Sequence, residues 1–243
     1  MPNNAVLALL LSIAVHSLAF SAESDQISRA ALGDHLTKKE LVDLNSEAGL
    51  SFFAEIDSTK FAKLKKFWGL QRPSYCGVCS SVIATNTLAG SKTLNQDTFF
   101  SDDVLKIIGP ETVGEIGLTL REIRLALAVH NPNATVTKYH SNLSGMDLLI
   151  DQLEAYEQND SIAIVNLSTS SLQGTGMKRG HFSIIAGYSK ESRRVLILEV
   201  NNDRHYWVKV DDLYTAMLAV DRISRIPRGC TPRWAAASQV AIT

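Results

Sequence analysis

Two residues in this chain are placed to do chemistry together: a cysteine that opens an apolar run, and a histidine that opens a later one. Cys76 sits in Gln71-Arg-Pro-Ser-Tyr-Cys76-Gly-Val-Cys79, and His181 in Gly174-Thr-Gly-Met-Lys-Arg-Gly-His181-Phe-Ser183. The thiolate is the nucleophilic form of cysteine, and a free thiol is mostly protonated at neutral pH unless something holds the anion. The first turn of a helix does so through its unpaired N–H groups and the positive end of its dipole. A nearby imidazolium adds to that and supplies the proton a leaving amine needs. Cys76 is therefore the candidate nucleophile of thiol acyl transfer, with His181 as general base and acid. Alone, Cys76 would read as a small buried hydrophobe. Tyr75 and Gly77 beside it at a helix start favour the nucleophile.

The other histidines have weaker claims. His16 lies in an apolar N-terminal segment, and His35, His130 and His140 stand in polar, loop-like contexts that predict solvated or capping roles. His205, between Arg204 and Tyr206 at a strand edge, is the runner-up to His181. No histidines have His-x-x-x-His spacing, and Cys76-x-x-Cys79 lacks the second pair of a zinc site, so no structural metal is predicted.

The elements around these residues follow from periodicity. Lys38 to Ser46 is read as a helix, and Phe61 to Trp68 spaces its apolar residues three and four apart as a second. Pro73 ends any helix ahead of the cysteine. From Cys76 to Leu88 an apolar run without Pro predicts a buried helix, closed by Gly90. Thr119 and Glu122 form a capping-box pattern for a helix to about His130, and another helix is read over Ser144 to Gln158. The period then changes. Ile162–Leu167, His181–Tyr188, Val195–Val200 and His205–Val208 read as four strands, and Asp211 to Ala219 as a closing helix. Helices followed by strands predict an α+β fold with an antiparallel sheet.

Composition sets the outer limits. The 243 residues are 45% hydrophobic and 20% charged, with a formal net charge of -1, enough for one sizeable core. A chain without a basic cluster has little to offer nucleic acid or an anionic membrane, so neither is expected as a partner. The apolar run Ala5 to Val15 is too short to span a bilayer, and small residues at Ala19 and Ser21 suit signal peptidase. Residues 1–21 are read as a secretory signal peptide, 22–234 as a single catalytic domain and 235–243 as a tail. The protein is then expected to be periplasmic or secreted. The alternatives for the leading segment are a retained anchor or a hydrophobic helix. Cys79 stands one helical turn from Cys76, so a disulfide between them is conceivable in an oxidising compartment; the plain alternative is a buried small residue.

Six ordered segments carry a resemblance. Tyr75-Cys76-Gly77-Val78, Gln96 to Phe100, Gly180-His181-Phe182-Ser183 with Gly187-Tyr188, Val195 to Val200, Tyr206-Trp207-Val208 with Leu213 to Asp221, and Arg228-Gly229 are similar in order and spacing to the phytochelatin synthase family. The match covers about residues 55 to 230. The resemblance implies a papain-like cysteine peptidase fold and a Cys-His-acid triad that cleaves the Cys-Gly amide of glutathione. A γ-glutamylcysteinyl thioester then passes to water or to a second glutathione, the latter making phytochelatin in heavy-metal detoxification. The likeness is to the short bacterial members, which lack the cysteine-rich C-terminal region of the eukaryotic ones and in which hydrolysis usually dominates. The resemblance makes Cys76 the nucleophile, His181 the base and acid, Glu199 the third member and Gln71 an oxyanion donor with the Cys76 N–H. It puts Tyr75, Gly77, Gly180, Ser183, Asn202 and Arg204 at the substrate. No cofactor is required, and heavy metal ions act as glutathione-bound activators. The implied partners are glutathione and metal-glutathione thiolates, with a homodimer as an allowed assembly.

The chain departs from the family in places. Glu199 stands where the family has Asp, so Asn201 or Asn202 remain alternatives for orienting His181. Gln71 is five residues before the cysteine, not six, where Leu70 stands. Leu167-Ser-Thr169 replaces Tyr-x-Arg, Ile184 replaces Pro, and Asn202 replaces an Arg. Two other readings differ in class: a disulfide oxidoreductase using Cys76-x-x-Cys79, and a non-catalytic thiol or metal-thiolate binding protein.

Overall fold

The computed structural model describes residues 38–175 and 179–231. The segment 1–21 and the tail 235–243 lie outside the described residues. Among the described residues, seven strands form one antiparallel sheet: β1 (Leu41–Asp43), β2 (Tyr139–His140), β3 (Ala163–Ser168), β4 (Gly180–Ser189), β5 (Arg194–Leu198), β6 (Tyr206–Lys209) and β7 (Gly229–Thr231). Their order is β1-β6-β5-β4-β3-β7-β2. The helices are α1 (Glu47–Phe53), α2 (Ser58–Phe67), α3 (Cys76–Ala89), α4 (Asp102–Leu105), α5 (Pro110–Ile116), α6 (Leu120–His130), α7 (Ser141–Gln158), α8 (Thr169–Gln173) and α9 (Val210–Leu218).

The sheet is covered on both faces, because its central strands carry apolar residues at odd and even positions alike. Phe182, Ile184 and Ala186 of β4 with Leu196 and Leu198 of β5 pack into one core with α2, α3 and α6. Ile185, Val195 and Ile197 pack into a second with Leu149 and Leu153 of α7 and Leu213 and Met217 of α9. The α+β class holds, but helices and strands are not divided between the two halves of the chain. β1 comes from the first half, and α7, α8 and α9 lie in the second.

Helix α3 is the central element. Every residue from Gly77 to Asn86 is buried, so its pattern is apolar all round rather than amphipathic. Gly77 lets α6 approach: a Cβ there would meet Ile123 Cδ1 at 2.9 Å and Leu118 Cδ1 at 3.0 Å. Gly90, at φ 68°, closes the helix in the left-handed conformation that glycine adopts without penalty. Helix α6 begins with the capping box read from the sequence, the Thr119 hydroxyl accepting from Glu122 N and the Glu122 carboxylate accepting from Thr119 N.

Four sequence expectations need correction. Lys38 to Ser46 is not a helix; it holds β1, which pairs with β6, and then a turn in which the Ser46 hydroxyl caps α1. Edge pairing outweighed helix propensity there. The strand read to Val200 ends at Leu198, because Glu199 turns back on its own backbone. His130 is half-buried, with Nε2 2.9 Å from Phe99 O. His140 is buried in β2, with Nδ1 2.8 Å from Pro227 O. Among the described residues, no helix is long and apolar enough to cross a membrane.

Candidate active site

Cys76 reaches its position through a turn. Tyr75 N donates to Arg72 O at 3.0 Å, with Pro73 and Ser74 between. Ser74 takes φ 65°, the positive value that the third residue of a type II turn requires and that costs a non-glycine residue about 1 kcal/mol or more. Helix α3 then starts at Cys76 with no side-chain cap and no acidic residue in its first turn. The terminal N–H groups and the positive end of the dipole are thus left for an anion. Burial opposes ionisation of the Cys76 thiol. The hydrogen bond and charge of His181, joined by the Phe182 and Gly77 N–H groups, outweigh it and hold the thiol below its ordinary range.

His181 opens β4. The Ile184–Leu198 pair, continued by one residue, sets Ser183 opposite Glu199, with His181 two residues along on the same face. His181 Nε2 lies 2.6 Å from Glu199 Oε1, both residues buried, which leaves Nδ1 for the thiol. Burial would lower the His181 pKa. The Cys76 thiolate and the Glu199 carboxylate overcome that and raise it to about 10. The extra methylene of Glu199 is taken up by a backward curl: Oε1 also accepts from Val200 N and Asn201 N at 2.8 Å each, and from Ser183 Oγ at 3.3 Å. Burial favours the neutral acid, but His181 and these N–H groups keep the Glu199 pKa low. The arrangement favours a thiolate-imidazolium pair anchored by a carboxylate.

Glu199, not Asn201 or Asn202, touches the imidazole. Asn202 Oδ1 accepts from Arg204 N, and both residues are exposed. They line a cleft of about 580 Å³ together with His181, Glu199, Lys38 and Gln173. Gln71 is held by its N–H on Val200 O at 2.9 Å and by Nε2 on Asn201 Oδ1 at 3.2 Å, and its Oε1 is buried with no partner among the described residues. Tyr75 packs its ring edge-on to Phe100. Ser183 is buried beneath the imidazole, and Gly77 is spoken for by α6. Cys79 faces inward: its thiol donates to Gly69 O at 3.3 Å, and burial pushes its pKa up to about 12. All three cysteines are free thiols. His205 is buried, its pKa lowered to about 4 by burial and by the Lys65 charge.

A second polar cluster escaped the sequence reading. Arg228 Nη1 donates to Asn166 Oδ1 at 2.7 Å and to Asp221 Oδ2 at 3.0 Å, and its charge acts on Cys76. All three residues are buried, and among the described residues Arg228 Nε has no partner. Gly180 belongs to this cluster, since a Cβ there would fall 2.0 Å from Arg228 Nη1. Asp221 and Arg228 stand at the ends of segments that carried the resemblance, which was the available signal. Asn166, inside an apolar strand, gave one too: a buried amide needs partners.

Residues 33–230 match the family model described as phytochelatin synthase. The chain is 30% identical over 200 residues to "Glutathione gamma-glutamylcysteinyltransferase 3" of Lotus japonicus, covering 77% of this chain and 41% of that protein. It is 31% identical over 115 residues to "Glutathione gamma-glutamylcysteinyltransferase" of Schizosaccharomyces pombe (strain 972 / ATCC 24843), covering 46% of this chain and 27% of that protein. The chain thus spans less than half the length of these relatives.

Proposed function

This chain belongs to the phytochelatin synthase family, and from that premise we propose that it is a cysteine-dependent acyltransferase that cleaves the Cys-Gly amide of glutathione. The observation that carries the reading is the Cys76 thiol, at the uncapped start of α3, hydrogen-bonded to an imidazole that Glu199 holds from behind. We read the arrangement, with its helix start against the end of an antiparallel sheet, as papain-like.

In the proposed reaction the Cys76 thiolate adds to the amide carbonyl between cysteine and glycine. The Cys76 N–H and the Gln71 amide, released from Asn201, receive the developing oxyanion. His181 gives its proton to the glycine nitrogen, glycine leaves, and a γ-glutamylcysteinyl thioester remains on Cys76. His181, now neutral, takes a proton from water or from the amine of a second glutathione as that group attacks. Water gives γ-glutamylcysteine; glutathione gives the lengthened peptide. Arg228, held by Asp221 and Asn166, suits the α-carboxylate at the glutamyl end of the substrate, because its cation keeps one N–H without a partner among the described residues. Leaving glycine and the incoming acceptor use the cleft lined by Asn202 and Arg204. Metal ions act here only as glutathione thiolates, no cofactor is required, and a homodimer is compatible with the reading. Residues 1–21 serve as an export signal, 22–234 as the catalytic domain and 235–243 as a tail, in a periplasmic or secreted protein.

Incubation with glutathione tests this. The protein releases glycine and Cys76→Ala does not; equal release from both ends the proposal.

A further inference from the structure

The acid of the triad is held from its main chain as well as through its carboxylate. Trp68 Nε1 donates to Glu199 O at 2.7 Å, and Glu199 N donates to His205 Nδ1 at 3.2 Å. Both atoms of the clamp come from residues that pack on each other, with the Trp68 and His205 rings edge to face at 5.4 Å and Phe61 against the far side of His205 at 6.2 Å. Lys65 Nζ lies 4.0 Å above the Trp68 ring and 2.7 Å from His205 Nε2. Trp68 ends α2 and His205 precedes β6, so the clamp ties the Glu199 peptide to elements on either side of it.

Glu199 needs such a clamp. A glutamate has one more rotatable bond than an aspartate, and here it bends so that Oε1 meets its own next two N–H groups. That bend aims the carboxylate at His181 only if the peptide planes on both sides of the Glu199 Cα are fixed. We propose that Trp68 and His205 are positioning residues for the reaction, which set the two peptide planes flanking the Glu199 Cα and thereby the carboxylate that holds His181. The inference rests on the reading of His181 and Glu199 as triad members.

For His205 to accept from Glu199 N, its proton must lie on Nε2. Exposed Lys65 competes for that nitrogen, but its ammonium can turn to water, whereas the buried Glu199 N–H cannot. The charged groups acting on the ring are Lys65 from α2, Glu199, Asp203 and Asp43. With Lys65 and burial both opposing its protonation, the ring stays neutral and an acceptor.

The test follows the His181 imidazolium directly, by titrating protein labelled with ¹³C-histidine, and follows glycine release beside it. In His205→Ala the upper pKa of His181 falls by about one unit, roughly tenfold in the imidazolium equilibrium, and kcat falls with KM unchanged. His205→Asn restores both, because its Oδ1 replaces Nδ1 as acceptor. Trp68→Phe, which keeps a ring but loses the donor, shifts His181 the same way by less. The inference is overturned if His181 titrates as in the wild type in both His205→Ala and Trp68→Phe, or if Asn rescues nothing that Ala has lost. Absence of glycine release by the wild type, with these titration shifts intact, removes the glutathione reading and leaves the positioning role standing.

Discussion

Two buried charge pairs flank Cys76, and they are built differently. His181–Glu199 is saturated: Oε1 alone takes the imidazole, two backbone N–H groups and a hydroxyl. Arg228–Asp221 is open at one atom: Asp221 takes Arg228 Nη1, the Ile223 and Ser224 N–H groups and the Ser224 hydroxyl, whereas Arg228 Nε is buried with no partner among the described residues. A buried charge costs several kcal/mol unless its hydrogen bonds are made. On the proposed function the saturated pair is a fixed part of the machinery, and the open pair is where a ligand would make the last bond. Substitutions in the first should act on turnover, and in the second on binding.

The largest effect belongs to the saturated side. His181→Ala is expected to lower kcat of glycine release by about a thousandfold or more, since triad members act as a unit; a loss under tenfold would detach His181 from the chemistry. Glu199→Gln should cost roughly a hundredfold in kcat, with Asn202→Ala close to wild type. The reverse order would move the orienting role to Asn202.

The pH profile sharpens the same side. His181 has a raised pKa, so the stability that the ion pair contributes is full below its unfolded value near 6.5 and is lost as pH rises through about 10, where the imidazolium needed for activity is lost as well. The Cys76 thiol has a lowered pKa, so its contribution is present above the ordinary thiol range and is lost as pH falls through the lowered value. Activity should form a plateau between these limits, and Glu199→Gln should pull the alkaline edge downward. An unmoved alkaline edge would show that Glu199 does not support the imidazolium.

On the open side, Arg228→Lys keeps the charge but loses the fork. Its KM for glutathione is expected to rise about tenfold, with kcat changed less; a pure kcat loss would erase the contrast between the pairs. Cys79→Ala should be the mildest, with stability lower by about 1 kcal/mol in denaturant titration and kcat near wild type, because its thiol faces Gly69 O and not the substrate. Loss of glycine release in Cys79→Ala would bring back the reading of Cys76-x-x-Cys79 as a working pair.

Much of this was legible in the chain. Cys76 at a helix start, His181 at a strand start and the Thr119–Glu122 capping box are local patterns, and each lies where its spacing put it. Helix α2 and the central strands were equally plain. The short strands β1, β2 and β7, of two or three residues, carry too little alternation to be read and exist because a neighbour pairs with them. Arg228, Asp221 and Asn166 converge only through the β3–β7 pairing and the turn before it, which no local pattern encodes. The choice between Glu199 and the asparagines was likewise beyond sequence, since it depends on a side chain folding back onto its own backbone.

The most direct measurement is the mass of the intact protein quenched during turnover with glutathione, followed by peptide mapping. The account predicts a γ-glutamylcysteinyl adduct on Cys76 that is absent from Cys76→Ala. Glycine release at full rate with no acyl group ever found on Cys76 would contradict it.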